Sequence, residues 1–414
     1  MSQTRQYEMT ASGLEWLGDI PVNWIMERAK FNFCQSFDRG NKTPELLAAT
    51  QKYGMYPQRL LEGVVRVMAG TDLQQFKTVH KNDFVISLRS FQGGFERSDY
   101  EGVCSPAYQV FHAHKKYDAN WLKWFFKNEM FIDAMNALTV GIREGRNIKY
   151  EDFANSEIPV PPLPEQAAIA AYLDEKCAAI DGIIAEAKAS IEEYKAWKAS
   201  VIFEAVTKGL DPNAEMKDSG VQWIGEIPKG WEASRVKNVC VNLDNLREPI
   251  SAENRVNEKG LYNYYGASGI IDKIDGYNVD DTVLLLGEDG ANLVFRNLPL
   301  VYRASGKIWV NNHAHILHVR DNCNYSYIAY ALEAGDYTTY ITGSAQPKLT
   351  QFNLMRFPVP CPSLPEQQAI AAYLDEKCAA IDGIIAEKET LIAELETYKK
   401  SLIFETVTGK RRVC

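Results

Sequence analysis

The residue types able to do chemistry are sparse in this 414-residue chain. His313 and His315 stand two apart, which on a strand puts both rings on one face, a spacing able to hold a metal ion. No cysteine or carboxylate cluster joins them, and a strand surface explains them as well, as it does His112, His114 and His318. Glu288-Asp289-Gly290 could be an acid pair, but a tight turn after a strand accounts for it. The eight cysteines fall singly, with no Cys-x-x-Cys pair. That pattern suits reduced thiols in a cytoplasm and neither a disulfide framework nor a zinc site, so no metal is expected. There is no Gly-x-x-x-x-Gly-Lys phosphate loop, no Gly-x-Ser-x-Gly elbow and no Asn/Asp-Pro-Pro-Tyr tetrapeptide of the kind adenine methyl transfer needs. No catalytic site is expected.

What these residues sit on is written twice. Leu163–Glu186 and Leu364–Glu387 are identical except at Ala167 and Gln368. Upstream, Ser12-Gly-Leu-Glu-Trp16-Leu-Gly-Asp-Ile-Pro21 matches Ser219-Gly-Val-Gln-Trp223-Ile-Gly-Glu-Ile-Pro228, followed by Trp24 and Trp231. Lead-in motif, variable region and helix therefore recur in order, which duplication explains and chance does not. The net charge of −9 is uneven. Residues 24–160 hold 18 Lys+Arg against 16 Asp+Glu, whereas 165–208 hold 5 against 8 and 366–409 hold 4 against 9. A near-neutral variable region can still face nucleic acid if its cations point one way. No apolar run is long enough for a membrane span, and the N-terminus lacks the pattern of a signal peptide.

The variable regions share a skeleton but little sequence. Phe84-Val-Ile-Ser-Leu88 and Val283-Leu-Leu-Leu286 predict buried strands closing in glycine turns. Tyr108–Phe111 and His315–His318 predict later strands, and Trp121–Met135 and Tyr325–Gly335 short amphipathic helices. Polar exit loops follow, Gly145–Lys149 and Ser344–Lys348, which set Lys149 opposite Lys348 and Phe153 opposite Phe352. Beyond them the chain runs into proline at 158–161 and 357–360. Pro164 and Pro365 suit a first helical turn. Apolar residues then recur at spacings of three and four through Leu173, Ile180, Ile183, Tyr194 and Trp197, and through Leu374, Ile381, Ile384, Leu395 and Tyr398, with Lys176 and Lys377 interrupting. A 3.5-residue period held this long marks a coiled coil. Neither helix is stable alone while exposing that stripe, so each should bury it against the other, antiparallel. The expected architecture is α+β. Two α/β recognition domains, 1–162 with its lead-in and 231–363, are related by a pseudo-two-fold axis. Long helices 163–208 and 364–409 separate them, with a linker and second lead-in at 209–230.

The doubled Trp-Leu/Ile-Gly-Asp/Glu-Ile-Pro lead-ins, the exits into Leu163-Pro-Glu-Gln and Leu364-Pro-Glu-Gln, and the Ile180-Asp181 and Ile381-Asp382 helix cores carry a resemblance over nearly the whole chain. The pattern resembles the specificity subunit of type I restriction–modification enzymes, the HsdS family. The resemblance implies two target recognition domains, each reading one half of a gapped double-stranded DNA sequence, on a helical ruler that also docks methyltransferase subunits, two in number. A nuclease–translocase subunit would complete the restricting enzyme. S-adenosylmethionine, Mg and ATP would belong to those partners and not to this chain. The helical segments are almost free of arginine, which leaves the subtype open.

On that reading, base contacts need forked donors or amides and phosphate contacts need cations. The candidates are Arg89, Arg97, Arg143, Arg146, Asn147 and Lys149 in the first reader, and Asn292, Arg296, Arg303, Lys307, Gln346 and Lys348 in the second. Two alternatives stand beside it, a stand-alone binding scaffold with no methyltransferase partner and an enzyme in its own right.

Overall fold

Gly13 (φ +81°) and Gly18 (φ +64°) take left-handed backbone that other residues resist, and they fold the lead-in into a hairpin of Met9–Ala11 against Asp19–Pro21. The second lead-in repeats this with Met216–Asp218 against Glu226–Pro228. The structure is a computed structural model describing residues 8–40, 45–62, 73–88, 90–114, 116–138, 148–251, 253, 260–343 and 346–413. Arg89, Arg143, Arg146 and Asn147 lie outside the described residues. The chain divides into two units, Met1–Ala187 with Glu389–Cys414, and Lys188–Lys388.

In the first unit, a four-stranded antiparallel sheet runs in the order Phe33–Ser36, Gln109–Ala113, Phe84–Ile86, Glu96–Arg97. Its central strand is apolar throughout because both faces are covered. Phe84 and Ile86 join Phe33, Phe111, Phe126 and Phe153 in an aromatic core under the helices Ala119–Phe125, Glu129–Ala137 and Tyr150–Asn155. Val85 faces the other way, into a second cluster with Leu47, Met55, Val79 and Val110 beneath the hairpin Leu47–Thr50/Gly54–Pro57 and the pair Lys77–Val79/Gly102–Cys104.

The second unit repeats this plan with different residues. Its sheet runs Cys240–Asn242, Ala314–Val319, Val283–Gly287, Val301–Ala304. Leu284 and Leu286 face the helix side, while Val283 and Leu285 face a smaller sheet of Gly269–Ile274, Tyr262–Gly266, Lys307–Val310 and Val279–Asp280. Burying each such side chain contributes roughly 1.5–3 kcal/mol.

The Leu-Pro-Glu-Gln repeat is a junction between reader and helix. Glu165 Oε2 accepts from Trp24 Nε1 at 2.6 Å, and Glu366 Oε1 from Trp231 Nε1 at 3.2 Å. The buried amides of Gln166 and Gln367 accept from the backbone N of Asp118 (2.7 Å) and Asn324 (2.8 Å), which are the N-caps of the helices Ala119–Phe125 and Tyr325–Ala334. One four-residue motif thus clamps both the lead-in tryptophan and the reader's helix.

The long helices are Leu163–Lys208 and Leu364–Val407. In each unit the N-terminal half of one packs antiparallel on the C-terminal half of the other. Asp181 binds Lys399 at 2.6 Å in the first unit, and Ile169, Leu173 and Ile180 share a core with Leu402, Ile403 and Val407. In the second unit Lys198 binds Asp382 at 2.6 Å, and Tyr194 lies under Lys388.

The buried stripe differs from the expected one. It passes through Leu173, Cys177, Ile180, Ile184, Ala187 and Ile191, so Cys177 fills the place where Lys176 was expected to interrupt, and Ile184 replaces Ile183. Leu374, Cys378 and Ile381 are its buried counterparts, with Tyr194, Ile384 and Leu395 half-buried. Ile183 (47% exposed), Trp197 (51%) and Tyr398 (50%) point outward. The frame is set by the strict three-four alternation, in which Cys177 precedes Ile180 by three and Ile184 follows it by four; Ile183 and Ile184 are chemically identical, so residue type alone does not choose between them.

Candidate nucleic-acid interface

Each reader uses a polar residue on the strand beside the central one to hold its exit loop. In the first, Gln109 lies opposite Ile86, and its amide accepts from Tyr150 N at 2.8 Å and donates to Ile148 O at 3.3 Å. In the second, His315 lies opposite Leu286, and its Nε2 donates to Leu349 O at 2.8 Å. The loops end alike, with Lys149 as N-cap of Tyr150–Asn155 and Thr350 as N-cap of Gln351–Arg356. This corrects the expected pairing. Lys149 corresponds to Thr350, not to Lys348, and buried Phe153 corresponds to buried Leu354, leaving Phe352 exposed. The equivalence keeps the helices' own offset, which the unlike loop sequences concealed.

Around His315 the second reader carries a charge network. His315 Nδ1 lies 2.6 Å from Asp244 Oδ2, and Asp244 Oδ1 accepts from Ile316 N at 2.9 Å. Arg247 reaches Asp244 at 3.4 Å and also binds Glu288. Lys348 binds the other oxygen of Glu288 at 3.0 Å, and His313 Nδ1 is 2.8 Å from Asp289. Burial pushes both the Asp244 and Glu288 carboxyls up. The bonds from His315 to Asp244, and from Arg247 and Lys348 to Glu288, outweigh it and hold each below its ordinary value. His313 and His315 thus serve different carboxylates, and no group of three or more His, Cys, Asp or Glu among the described residues is arranged to hold a metal ion. The network fixes the loop backbone while Lys348 stays half exposed and Gln346 exposed. Sequence reasoning missed Arg247 and Asp244, whose partners lie 41 and 71 residues away, so no local pattern marks them.

The other candidates divide by what they touch. Asn292 closes its own turn, donating to Leu298 O (3.1 Å) and Pro299 O (3.2 Å). Arg296, in left-handed backbone (φ 53°), donates to Glu333 O. Arg303 binds Asp375 of the long helix at 2.9 Å with its guanidinium over Tyr330. Arg97 binds Asp99 and Asn120. These four serve the fold. The cations of Lys149 and Lys307 are exposed, the latter over the Tyr277 ring at 4.6 Å. Arg296, Arg303 and Glu333 also line a groove of about 990 Å³ with Lys198, Phe203 and Asp382, all within the second unit. No helix among the described residues is long and apolar enough to cross a membrane.

A family model described as the type I restriction modification DNA specificity domain matches residues 33–193 and again 228–397. The type I restriction enzyme MjaVIII specificity subunit of Methanocaldococcus jannaschii is 26% identical over 95% of this chain and 94% of its own. A putative type I restriction enzyme specificity subunit of Haemophilus influenzae is 32% identical, over 32% of this chain and 34% of its own length. Among solved structures, a chain from work on complex assembly and conformational transition of the type I R-M system has a TM-score of 0.69 at 15% identity, covering 94% of this chain and 98% of that one. The HsdS subunit from Thermoanaerobacter tengcongensis gives 0.50 at 16%, with the same coverage. At these identities the structures speak for the fold alone.

Proposed function

Because this chain belongs to the type I restriction–modification DNA specificity family, we propose that each of its units reads one half of a gapped double-stranded DNA target on behalf of partner subunits. The observation that carries this is one sheet topology, built twice, whose exit loops are held by unlike polar groups. Gln109 serves in one reader and the His315–Asp244–Arg247–Glu288–Lys348 network in the other. Two scaffolds with two surfaces suit two different half-sites. In the second reader Lys307, Gln346 and Lys348 would face the DNA, and in the first Lys149, with lysines gripping phosphate and the amide available to a base edge.

The helices would dock the methyltransferase subunits. Trp197 and Tyr398 occupy matching positions, each half exposed, and each unit also carries a helix tyrosine under a lysine, Tyr373 under Lys377 in one and Tyr172 under Lys176 in the other. Aromatic side chains of this kind are common interface anchors. A patch that occurs twice suits two copies of one partner. Catalysis would then rest with the partners, which would bring S-adenosylmethionine, Mg and ATP. The test is to map methylated adenines across a host genome with and without this chain. A two-part motif with a constant gap, present only with the chain, is the expected result, and unchanged methylation would refute the reading.

A further inference from the structure

Two thiols meet where the second reader joins its long helix, and DNA reading uses neither. Cys323 precedes the N-cap Asn324, and Cys361 ends the strand Pro358–Cys361 that leads into the second long helix. Gln367 ties the two places together. Its Oε1 accepts from Asn324 N at 2.8 Å, while its Nε2 donates to Pro362 O at 2.9 Å and faces Cys361 Sγ at 3.9 Å. Tyr327, one turn further along, donates its hydroxyl to Pro360 O at 3.1 Å. Within this frame the Cys323 and Cys361 side chains are hydrogen-bonding neighbours, with Asn322 Oδ1 also 3.7 Å from Cys323 Sγ; both side chains pack on one apolar cluster, and both remain partly open to solvent. The pairing pulls the Cys361 thiol below its ordinary value and pushes Cys323 up, which favours Cys361 as the nucleophile.

The other described thiols lack this arrangement. Cys104, Cys177, Cys240 and Cys378 are buried, and burial pushes each of them up. Cys34 is exposed, with His114 Nε2 at 3.3 Å. In the first reader Tyr117 and Val160 hold the places equivalent to Cys323 and Cys361, so the pair belongs to the second reader.

We propose that Cys323 and Cys361 are a peroxide-sensitive dithiol that closes to a disulfide, stapling the start of the helix Tyr325–Ala334 to the strand that feeds the long helix. The Cys361 sulfur attacks one peroxide oxygen, the O–O bond breaks, and a sulfenic acid and one water result. The Cys323 sulfur then attacks the Cys361 sulfur, the S–O bond breaks, and a second water leaves with the Cys323 proton. Two thiols lose two electrons and one hydrogen peroxide becomes two waters.

The test treats the full chain with hydrogen peroxide, blocks the remaining thiols with N-ethylmaleimide and digests without reductant for mass spectrometry. A Cys323–Cys361 linked peptide two hydrogens lighter is expected. It should be lost in Cys323→Ser and in Cys361→Ser, and Cys323→Ser should leave a sulfenic acid on Cys361 that dimedone captures. The linked chain should unfold at a higher temperature, by several degrees, and return on reduction. The proposal is overturned by linkage of any other pair, by oxidation of Cys34 with no linked peptide, or by an unshifted melting midpoint in fully linked chain. Since no DNA enters this test, its outcome is independent of the functional reading above.

Discussion

Glu288 and Asp244 show how a buried carboxylate keeps its charge. Burial favours the neutral form, yet the donors around each hold them below the ordinary values of 4.5 and 3.8. A carboxyl lowered in the folded state adds stability above its unfolded value, and that contribution is lost as pH falls through the folded one. The second reader should therefore loosen below about pH 4. Glu288→Gln, which removes the charge but keeps the shape, should flatten that acid limb in thermal unfolding, and an unchanged limb would count against the network. Lys348 tests a different point. If its half-exposed ammonium grips a phosphate, Lys348→Ala lowers the slope of log affinity against log salt by about 0.9 while leaving base preference alone. An unchanged slope would assign Lys348 to the Glu288 ion pair only. Neither residue's partnership could be read from sequence, because Arg247, Glu288, His315 and Lys348 meet only once the sheet has folded.

At the scale of the element, the paired helices separate a buried stripe from an outward face. Ile180 lies in the buried stripe, and Ile183, three residues on, faces out. Ile180→Asp places a charge among Leu173, Cys177 and Ile184 and should unfold the first unit's helix pair, at a cost of several kcal/mol. Ile183→Asp should leave the melting temperature within a degree or two, yet weaken capture of the methyltransferase subunit in a pull-down. Equal losses of stability in both variants would contradict the observed frame. Much of this element was legible beforehand, since the duplicated Leu163–Glu186 and the heptad spacing demanded long paired helices. The central strands were equally plain, because an apolar run such as Val283–Leu286 suits a strand covered on both faces. The one-residue frame was not legible. Ile184 competes with an identical neighbour, Ile183, and Cys177 with the long Lys176, and only packing decides between them. The loop equivalence of Lys149 with Thr350 was hidden for a similar reason, since it follows helix caps and not residue type.

At the scale of the molecule, the second unit is one continuous stretch of chain and the first is not. The first closes only when Glu389–Cys414 returns to it. Leu402, Ile403 and Val407 then enter the core that holds Ile169, Leu173 and Ile180. Beyond the helix, Gly409 packs so closely on Pro21 and Trp24 that a Cβ there would sit 2.4 Å from the proline ring, and Lys410 donates to Asp19 O at 3.2 Å. The lead-in of the first reader is thus held by the last residues of the chain. Deleting 389–414 should expose the stripe from Ile169 to Ile184 and release the hairpin Met9–Ala11/Asp19–Pro21, although no residue of the first reader has been altered. Hydrogen exchange would show it as lost protection over 163–187 and over the lead-in. The sheet of the second reader, whose core clusters draw on no residue after Cys378, should keep its protection. Equal deprotection of both readers would mean that their folding is coupled along the whole helix pair. Unchanged protection of 163–187 would mean that the first long helix stands without its partner, against the shared core of Ile169, Leu173 and Ile180 with Leu402, Ile403 and Val407.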